Sequence, residues 1–288
     1  MRNGKLIRAL REQYQIDFEA LWRQACKTSS EAFPSRLVDD LAEQAFWKDA
    51  AKRYDDTPKL IDYAPEVAVK IRSLLGEVKR VLEIGCGTGK FTVPLARYFE
   101  KIFAVDLSQD MLEQLHIKLC DQGIHNVRTV QGKWEDVQLD RVDGIFLVNA
   151  VYRMLDIRRC LAKMNEIARQ RVVLVWTQPW SRFEQLFCQL GISGEGVSRD
   201  YINLLLILYE MGIDPTLEFF DVEKRVHYKE IEELRESIRQ SVPADKYTPE
   251  CVERFIAENT TTTSEGVEFR FGQKIAFIHW KPVEFLQI

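Results

Sequence analysis

Between residues 80 and 177 short apolar runs alternate with amphipathic segments of helix length. No other feature of the chain limits its fold as strongly. "KRVLEIG", "KIFAVDLS", "NVRTVQG", "VDGIFLVNAV" and "RVVLVWTQ" read as strands. "KFTVPLARYF", "DMLEQLHIKLCDQG" and "IRRCLAKMNEIAR" read as the helices among them. Apolar strands separated by such helices predict parallel βαβ units, a sheet covered on both faces, and right-handed crossovers. Ligands of an open sheet of this kind bind beyond the C-terminal ends of its strands. The turn after Ile84 is therefore the first place to look for a site.

That turn lies in "VLEIGCGTGKFT". Gly85, Gly87 and Gly89 free the backbone to bend sharply and to approach a ligand closely. The spacing does not fit a dinucleotide fingerprint, because the third glycine comes one position early for G-x-G-x-x-G. Nor is it a P-loop, since Phe91 follows Lys90 where Ser or Thr is required. The bare backbone thus serves either an unusual phosphate or a ligand with none. Two acids bear on the choice. Glu83 precedes the first glycine, and Asp106 closes the next strand about 20 residues on, where an acid meets a ribose in nucleotide folds. Cys86 has no histidine positioned beside it in the sequence and reads as a small apolar residue. His116, His125 and His279 show no metal-ligand spacing and read as solvated or structural.

The flanks are of a different kind. Residues 5–27 read as one amphipathic helix and residues 36–54, ending in "FWKDAAKRYDD", as a second helical stretch. Pro65 suits the start of a helix running to Gly76. Residues 180–212 are mostly helical, and residues 218–228 alternate like a strand. "KEIEELRESIRQSV" and "ECVERFIAENT" read as helices, "TTTTSEG" as a polar loop, and "VEFRFGQKIAFIHWKP" as one or two strands. The expected organisation is an N-terminal helical extension (1–74), a ligand-binding core (75–179), a helical insertion (180–217) and a completion of the sheet (218–288).

Composition narrows the functional class. A net charge of −4 offers no strong field for a nucleic-acid backbone. The start lacks a signal-peptide core, and the longest apolar run is far short of the roughly 20 residues of a bilayer span. Six scattered cysteines without a C-x-x-C pair suggest reduced thiols. The expectation is a cytoplasmic protein with no membrane partner, no nucleic-acid partner and no metal.

The run E-x-G-x-G-x-G from Glu83 resembles the first motif of the class I S-adenosylmethionine-dependent methyltransferases. "DLSQDML" after the second strand, "VQGKWEDV" after the third, and "GIFLVNAVYRMLD" at the fourth are similar to the later motifs of that family, in order and spacing. The likeness covers roughly residues 75–178. It implies a Rossmann-like seven-stranded mixed sheet of order 3-2-1-4-5-7-6, with "KIAFIHWKP" as the antiparallel strand. It also implies S-adenosylmethionine as cofactor and S-adenosylhomocysteine as product. Carried onto this chain, the cofactor-binding residues would be Glu83, Gly85, Cys86, Gly87, Gly89, Asp106, Leu107, Met111, Trp134, Glu135 and Asn149. Asp106 would take the ribose, Leu107 and Met111 the adenine face, Trp134 and Glu135 its edge, and Asn149 the methionine end. Lys133 departs from the pattern, since many relatives carry an acid there that meets the adenine amine.

No catalytic dyad is visible, and in-line displacement at a sulfonium does not require one. The expected activity is methyl transfer to a small-molecule acceptor, with Tyr54, Tyr152 and His227 as candidates for the acceptor pocket. Both helical additions are expected to cover the cofactor edge, with Asp55 and Asp56 helping a lid to close. Two other classes stay open: a protein or RNA methyltransferase, and a catalytically silent cofactor-binding regulator.

Overall fold

The computed structural model of the chain describes residues 2–29, 34–55, 63–177, 182–192 and 200–284. Among these, the helices before the sheet are α1 (Arg2–Tyr14), α2 (Phe18–Ser29), α3 (Ser35–Val38), α4 (Asp40–Ala51) and α5 (Ala64–Leu75). The alternation then forms as β1 (Arg80–Ile84), the one-turn α6 (Thr92–Leu95), β2 (Lys101–Asp106), α7 (Gln109–Asp121) and β3 (Val127–Gln131). It continues through β4 (Val142–Val148), α8 (Ile157–Ile167) and β5 (Ala168–Thr177). After it come α9 (Glu184–Gln189), α10 (Asp200–Glu210), β6 (Thr216–Tyr228), α11 (Ile231–Ser241), α12 (Pro249–Asn259), β7 (Thr260–Thr263) and β8 (Gly266–Trp280).

The sheet order is β3-β2-β1-β4-β5-β8-β6, with β8 antiparallel to β5 and to β6. This is the expected order, with β8 as the antiparallel strand. One count differs. The sheet has eight strands rather than seven, because "TTTT" is not loop but β7, which pairs with β8 from Thr260↔Phe269 to Thr263↔Gly266. Threonine is β-branched and favours extended backbone. The edge of β8 also runs past the end of β5, and its backbone groups there need partners.

The N-terminal helix divides too. Gln15 takes φ +53° and ends α1, and Asp17 then accepts from the N–H of Ala20 at 2.9 Å to cap α2. In the next stretch Asp39 caps α4 through Leu41 and Ala42.

Alternate residues of β5 explain the layering. Val172, Leu174 and Trp176 face one apolar cluster with α2, α8 and α10. Val173 and Val175 face the other, with α5 and Leu95 of α6. Gly144 on β4 lets α5 come close, since a Cβ there would stand 2.9 Å from a Leu75 methyl.

The insertion behaves differently from expectation. Leu204, Ile207 and Leu208 of α10 are buried in the cluster with α2 and α8. The buried Glu210 pairs with Arg11 and Arg158, drawing α1 and α8 onto α10. Helix α9 instead joins α11, α12 and the projecting ends of β6 and β8 in a separate cluster around Phe183, Phe255 and Phe269. No described residue of 182–217 lines the ligand cleft. The cap expected from this insertion is therefore not formed by its described part, because its apolar stripe is used up on helices. Residues 193–199 and Asp56 lie outside the described residues.

Candidate functional site

A cleft of about 590 Å³ opens at the C-terminal ends of β1, β2 and β4. Its floor is the glycine turn. Gly85 (φ +71°) and Gly87 (φ +53°) adopt conformations that favour glycine. A Cβ on Gly85 would lie 2.4 Å from that of Ala150, so the turn also needs the missing side chain there.

Four N–H groups of this turn bear on what it is bare for. Gly85 and Cys86 donate to the carbonyl of Val105 at 2.8 and 3.1 Å, and Gly89 to that of Cys86 at 2.9 Å. Gly87 donates to the Asp106 carboxylate at 2.8 Å. These donors are spent within the protein, and an anion there would face the Asp106 carboxylate. The turn is shaped for a ligand that comes close without offering phosphate. Asp106 itself also accepts from Ser108 N–H at 2.9 Å, one bond to each oxygen. Burial pushes its carboxyl up from the ordinary range, while the N–H bonds from Ser108 and Gly87 oppose this. Each oxygen retains accepting capacity toward a pair of hydroxyls.

Glu83 is buried at the end of β1 and accepts from the Thr92 hydroxyl. Burial pushes its carboxyl up to about 8, against the Thr92 hydrogen bond and with help from the Asp106 charge. This favours the protonated carboxyl over the carboxylate. Cys86 is buried, and burial pushes its thiol well up, which fits an apolar wall and not a nucleophile.

The other expected residues divide. Leu107, Met111, Trp134, Glu135 and Asn149 all line the cleft. Trp134 is also core: its indole N–H donates to the Cys160 carbonyl at 3.3 Å and the Lys163 ammonium sits 4.4 Å from its ring centre. Asn149 takes φ +54° and spends its amide on Thr177, accepting from the N–H at 2.7 Å and donating to the hydroxyl at 3.0 Å. Lys133 turns to Asp40, 3.6 Å away. Tyr54 and Tyr152 line the cleft. His227 does not. It is exposed near the β7–β8 turn, where its Nε2 lies 2.8 Å from the Glu265 carbonyl. Three residues along β6 from the cleft-lining Lys224, it projects from the opposite face of the strand.

Arg36 of α3 and Glu43 and Trp47 of α4 roof the cleft. Its knot was not visible in the sequence. Buried Glu43 accepts from Trp47 Nε1 and Arg36 Nε, each at 2.7 Å, and from the Tyr152 hydroxyl. Burial acts to raise the Glu43 carboxyl, but these three donors hold it below its ordinary value. Burial and Glu43 push the Tyr152 phenol up. Arg153 adds bonds to the Arg36 carbonyl and to Asp40, both at 2.6 Å. At the far end Asp55 accepts from the Thr88 hydroxyl at 3.1 Å and pairs with Lys118 at 2.6 Å, fastening α4 to the glycine turn and α7. Tyr63, Lys90 and Lys224 complete the wall. No sequence motif marked Arg36, Glu43, Tyr63 or Lys224. The only signal near them was the aromatic and acidic run "FWKDAAKRYDD".

Residues 81–171 match the family described as "Methyltransferase domain". An uncharacterised protein of Haemophilus influenzae is 35% identical over 146 residues, 50% of this chain and 54% of that one. A tRNA/tmRNA (uracil-C(5))-methyltransferase of Nitratiruptor is 34% identical over 27% of this chain and 20% of its own. A magnesium-protoporphyrin O-methyltransferase of Rhodobacter capsulatus is 30% identical over 39% of this chain and 50% of its own. The chain thus spans about half or less of the length of these relatives. Residues 81–171 thus carry a methyltransferase domain, and the sheet order and the glycine turn around it are similar to those of the class I S-adenosylmethionine-dependent methyltransferases.

Proposed function

We propose that the protein transfers a methyl group from S-adenosylmethionine to a small-molecule acceptor held in the roofed cleft. The observation that carries this is the bond from Gly87 N–H to Asp106, which turns a glycine-rich loop from a phosphate site into a floor for a nucleoside without phosphate. The residues fit the cofactor. Asp106 would accept the ribose hydroxyls as charge-assisted bonds. Leu107 and Met111 would pack on the adenine, and Trp134 and Glu135 would border its edge. Gly85 and Cys86 would lie against the cofactor through backbone, and Asn149 would border its methionine end with its amide tied to Thr177.

Bound S-adenosylmethionine supplies an electrophilic methyl group on a sulfonium, with a neutral thioether as leaving group. The chain then has to align an acceptor and keep water out. Alignment of this kind contributes about 7–11 kcal/mol to a rate. Tyr152 cannot serve readily as a base, because its proton is held by Glu43 and its acidity is lowered by burial. Tyr54 is packed edge-on against Trp47 at 5.6 Å and borders the same space. Trp47, Tyr54, Tyr63, Phe91 and Tyr152 give the cleft an aromatic lining. Its volume of about 590 Å³ falls in the roughly 300–1,000 Å³ of small-ligand sites. That volume includes the cofactor's place, so it is the aromatic lining that supports a small acceptor over an RNA or protein surface.

The test is transfer of labelled methyl from S-adenosylmethionine into cell extract separated into low-molecular-weight, RNA and protein fractions. Label is expected in the first. Label confined to RNA or protein would replace the proposed acceptor class, and cofactor binding without any label would favour a silent regulator.

A further inference from the structure

The loop between β3 and β4 begins at the cleft, where Gly132, Lys133, Trp134 and Glu135 line it. It lies outside helix and strand, so its carbonyls need donors from elsewhere. One side chain supplies them. The Lys163 ammonium, on α8, donates to the carbonyls of Trp134, Glu135 and Val137 at 2.6, 3.2 and 2.5 Å. An ammonium has three N–H donors, and all three are used here. Among the described residues no backbone N–H donates to these three carbonyls, and no carboxylate pairs with the lysine. Burial pushes the Lys163 amine below its ordinary range. A half-buried cation is thus committed to loop backbone. The same helix holds the loop a second time, through the Trp134 indole bonded to the Cys160 carbonyl.

The loop is fixed at its start by Asp106. Gly132 N–H donates to the Asp106 carbonyl at 2.9 Å, and a Cβ on Gly132 would stand 2.6 Å from a Val137 methyl, so the loop closes tightly on itself. Its peptides are trans, and in a trans peptide the N–H points opposite to the C=O. With the Trp134 and Glu135 carbonyls turned to Lys163, the N–H groups of Glu135 and Asp136 are turned away from it. Asp136 N–H returns to the Lys133 carbonyl at 3.0 Å, while that of Glu135 has no acceptor among the described residues. Lys163 does not itself line the cleft, so it acts on a ligand only through this loop. We propose that Lys163 is a positioning residue for the base of the cofactor: it holds the loop at the adenine edge, and both the strength and the base selectivity of S-adenosylmethionine binding depend on its three bonds. This rests on the S-adenosylmethionine reading of the cleft. Without the ammonium the three carbonyls lose their donors, and the loop has to turn to find others, carrying Trp134 and Glu135 with it.

The experiment compares wild type, Lys163→Met and Lys163→Gln. Calorimetry reads the affinity of each for S-adenosylhomocysteine and for S-inosylhomocysteine, which differ only at the base edge. Amide exchange reads residues 133–137 in the free protein. Wild type should prefer the adenine compound at least about tenfold. In Lys163→Met, exchange of the loop should quicken, S-adenosylhomocysteine affinity should fall at least about tenfold, and the preference between the two compounds should shrink. Lys163→Gln keeps two N–H donors without the charge and should fall between the other two. It also carries the comparison if Lys163→Met does not fold. Three results would overturn the role of Lys163. Affinity and preference unchanged in both variants would leave it a structural tie alone. Equal loss for both compounds would mean a general disturbance of the cleft. No preference in wild type would mean that the loop does not read the base. If wild type binds neither compound, it is the S-adenosylmethionine reading itself that fails.

Discussion

At the scale of the residue, the Gly87 N–H decides the chemistry of the loop by donating to Asp106. The neighbouring Gly85 is fixed by both its φ of +71° and the nearness of Ala150. Gly85→Ala should therefore destabilise the fold by about 1–3 kcal/mol in denaturant unfolding. An unchanged midpoint would mean the turn has another accessible shape. Glu83 predicts a pH effect. Its carboxyl is held at about 8 in the fold, above its ordinary value, so the folded chain binds that proton more tightly than the unfolded one. The resulting stability is present below the unfolded value and is lost as pH rises toward 8. Unfolding free energy should thus fall between pH 5 and 8, and fall less in Glu83→Gln. An equally steep fall in the variant would contradict this assignment. Glu83 and Asp106 were legible in the sequence because each sits one strand-end from the glycines. Their protonation was not, because it depends on burial that no motif encodes.

At the scale of the element, the roof is held by side chains distant in sequence. Glu43 meets Tyr152 across 109 positions, and Thr88 meets Asp55 across 33. The aromatic and acidic run before the core announced a lid, but the knot at Glu43 could not be read locally. It joins α3, α4 and the turn after β4, whose mutual approach is a tertiary event. Asp55→Ala removes the fastening at one end of α4. Amide exchange over residues 40–51 should quicken several-fold in the variant while the strands keep their protection. Unchanged exchange there would show that the Glu43 knot alone holds the roof. Helix boundaries followed local chemistry where it was overlooked: Asp17 and Asp39 cap new helices inside stretches whose periodicity read as continuous. His227 lies outside the cleft because it is on the face of β6 opposite Lys224, and alternation along a strand does not by itself say which of its faces meets the cleft.

At the scale of the whole molecule, the core from β1 to β5 was legible because its alternation is regular and its central strands β1, β4 and β5 are buried on both faces. The region after Thr177 was less so. Its long strands β6 and β8 serve the sheet at one end and a second cluster at the other. Phe255 is buried in that cluster, away from the cleft. Phe255→Ala should cost about 3–5 kcal/mol in stability and leave ligand affinity intact, as read by unfolding and titration side by side. A coupled loss of affinity would mean the two clusters are not independent. The account as a whole depends on Asp106 and the glycine turn holding a nucleoside that brings no phosphate. Its most direct test is calorimetric titration with S-adenosylhomocysteine and with NAD, for wild type and Asp106→Ala. Binding of the first alone, lost in the variant with the fold retained, is the predicted result. Binding of NAD, or S-adenosylhomocysteine affinity that ignores Asp106, would contradict it.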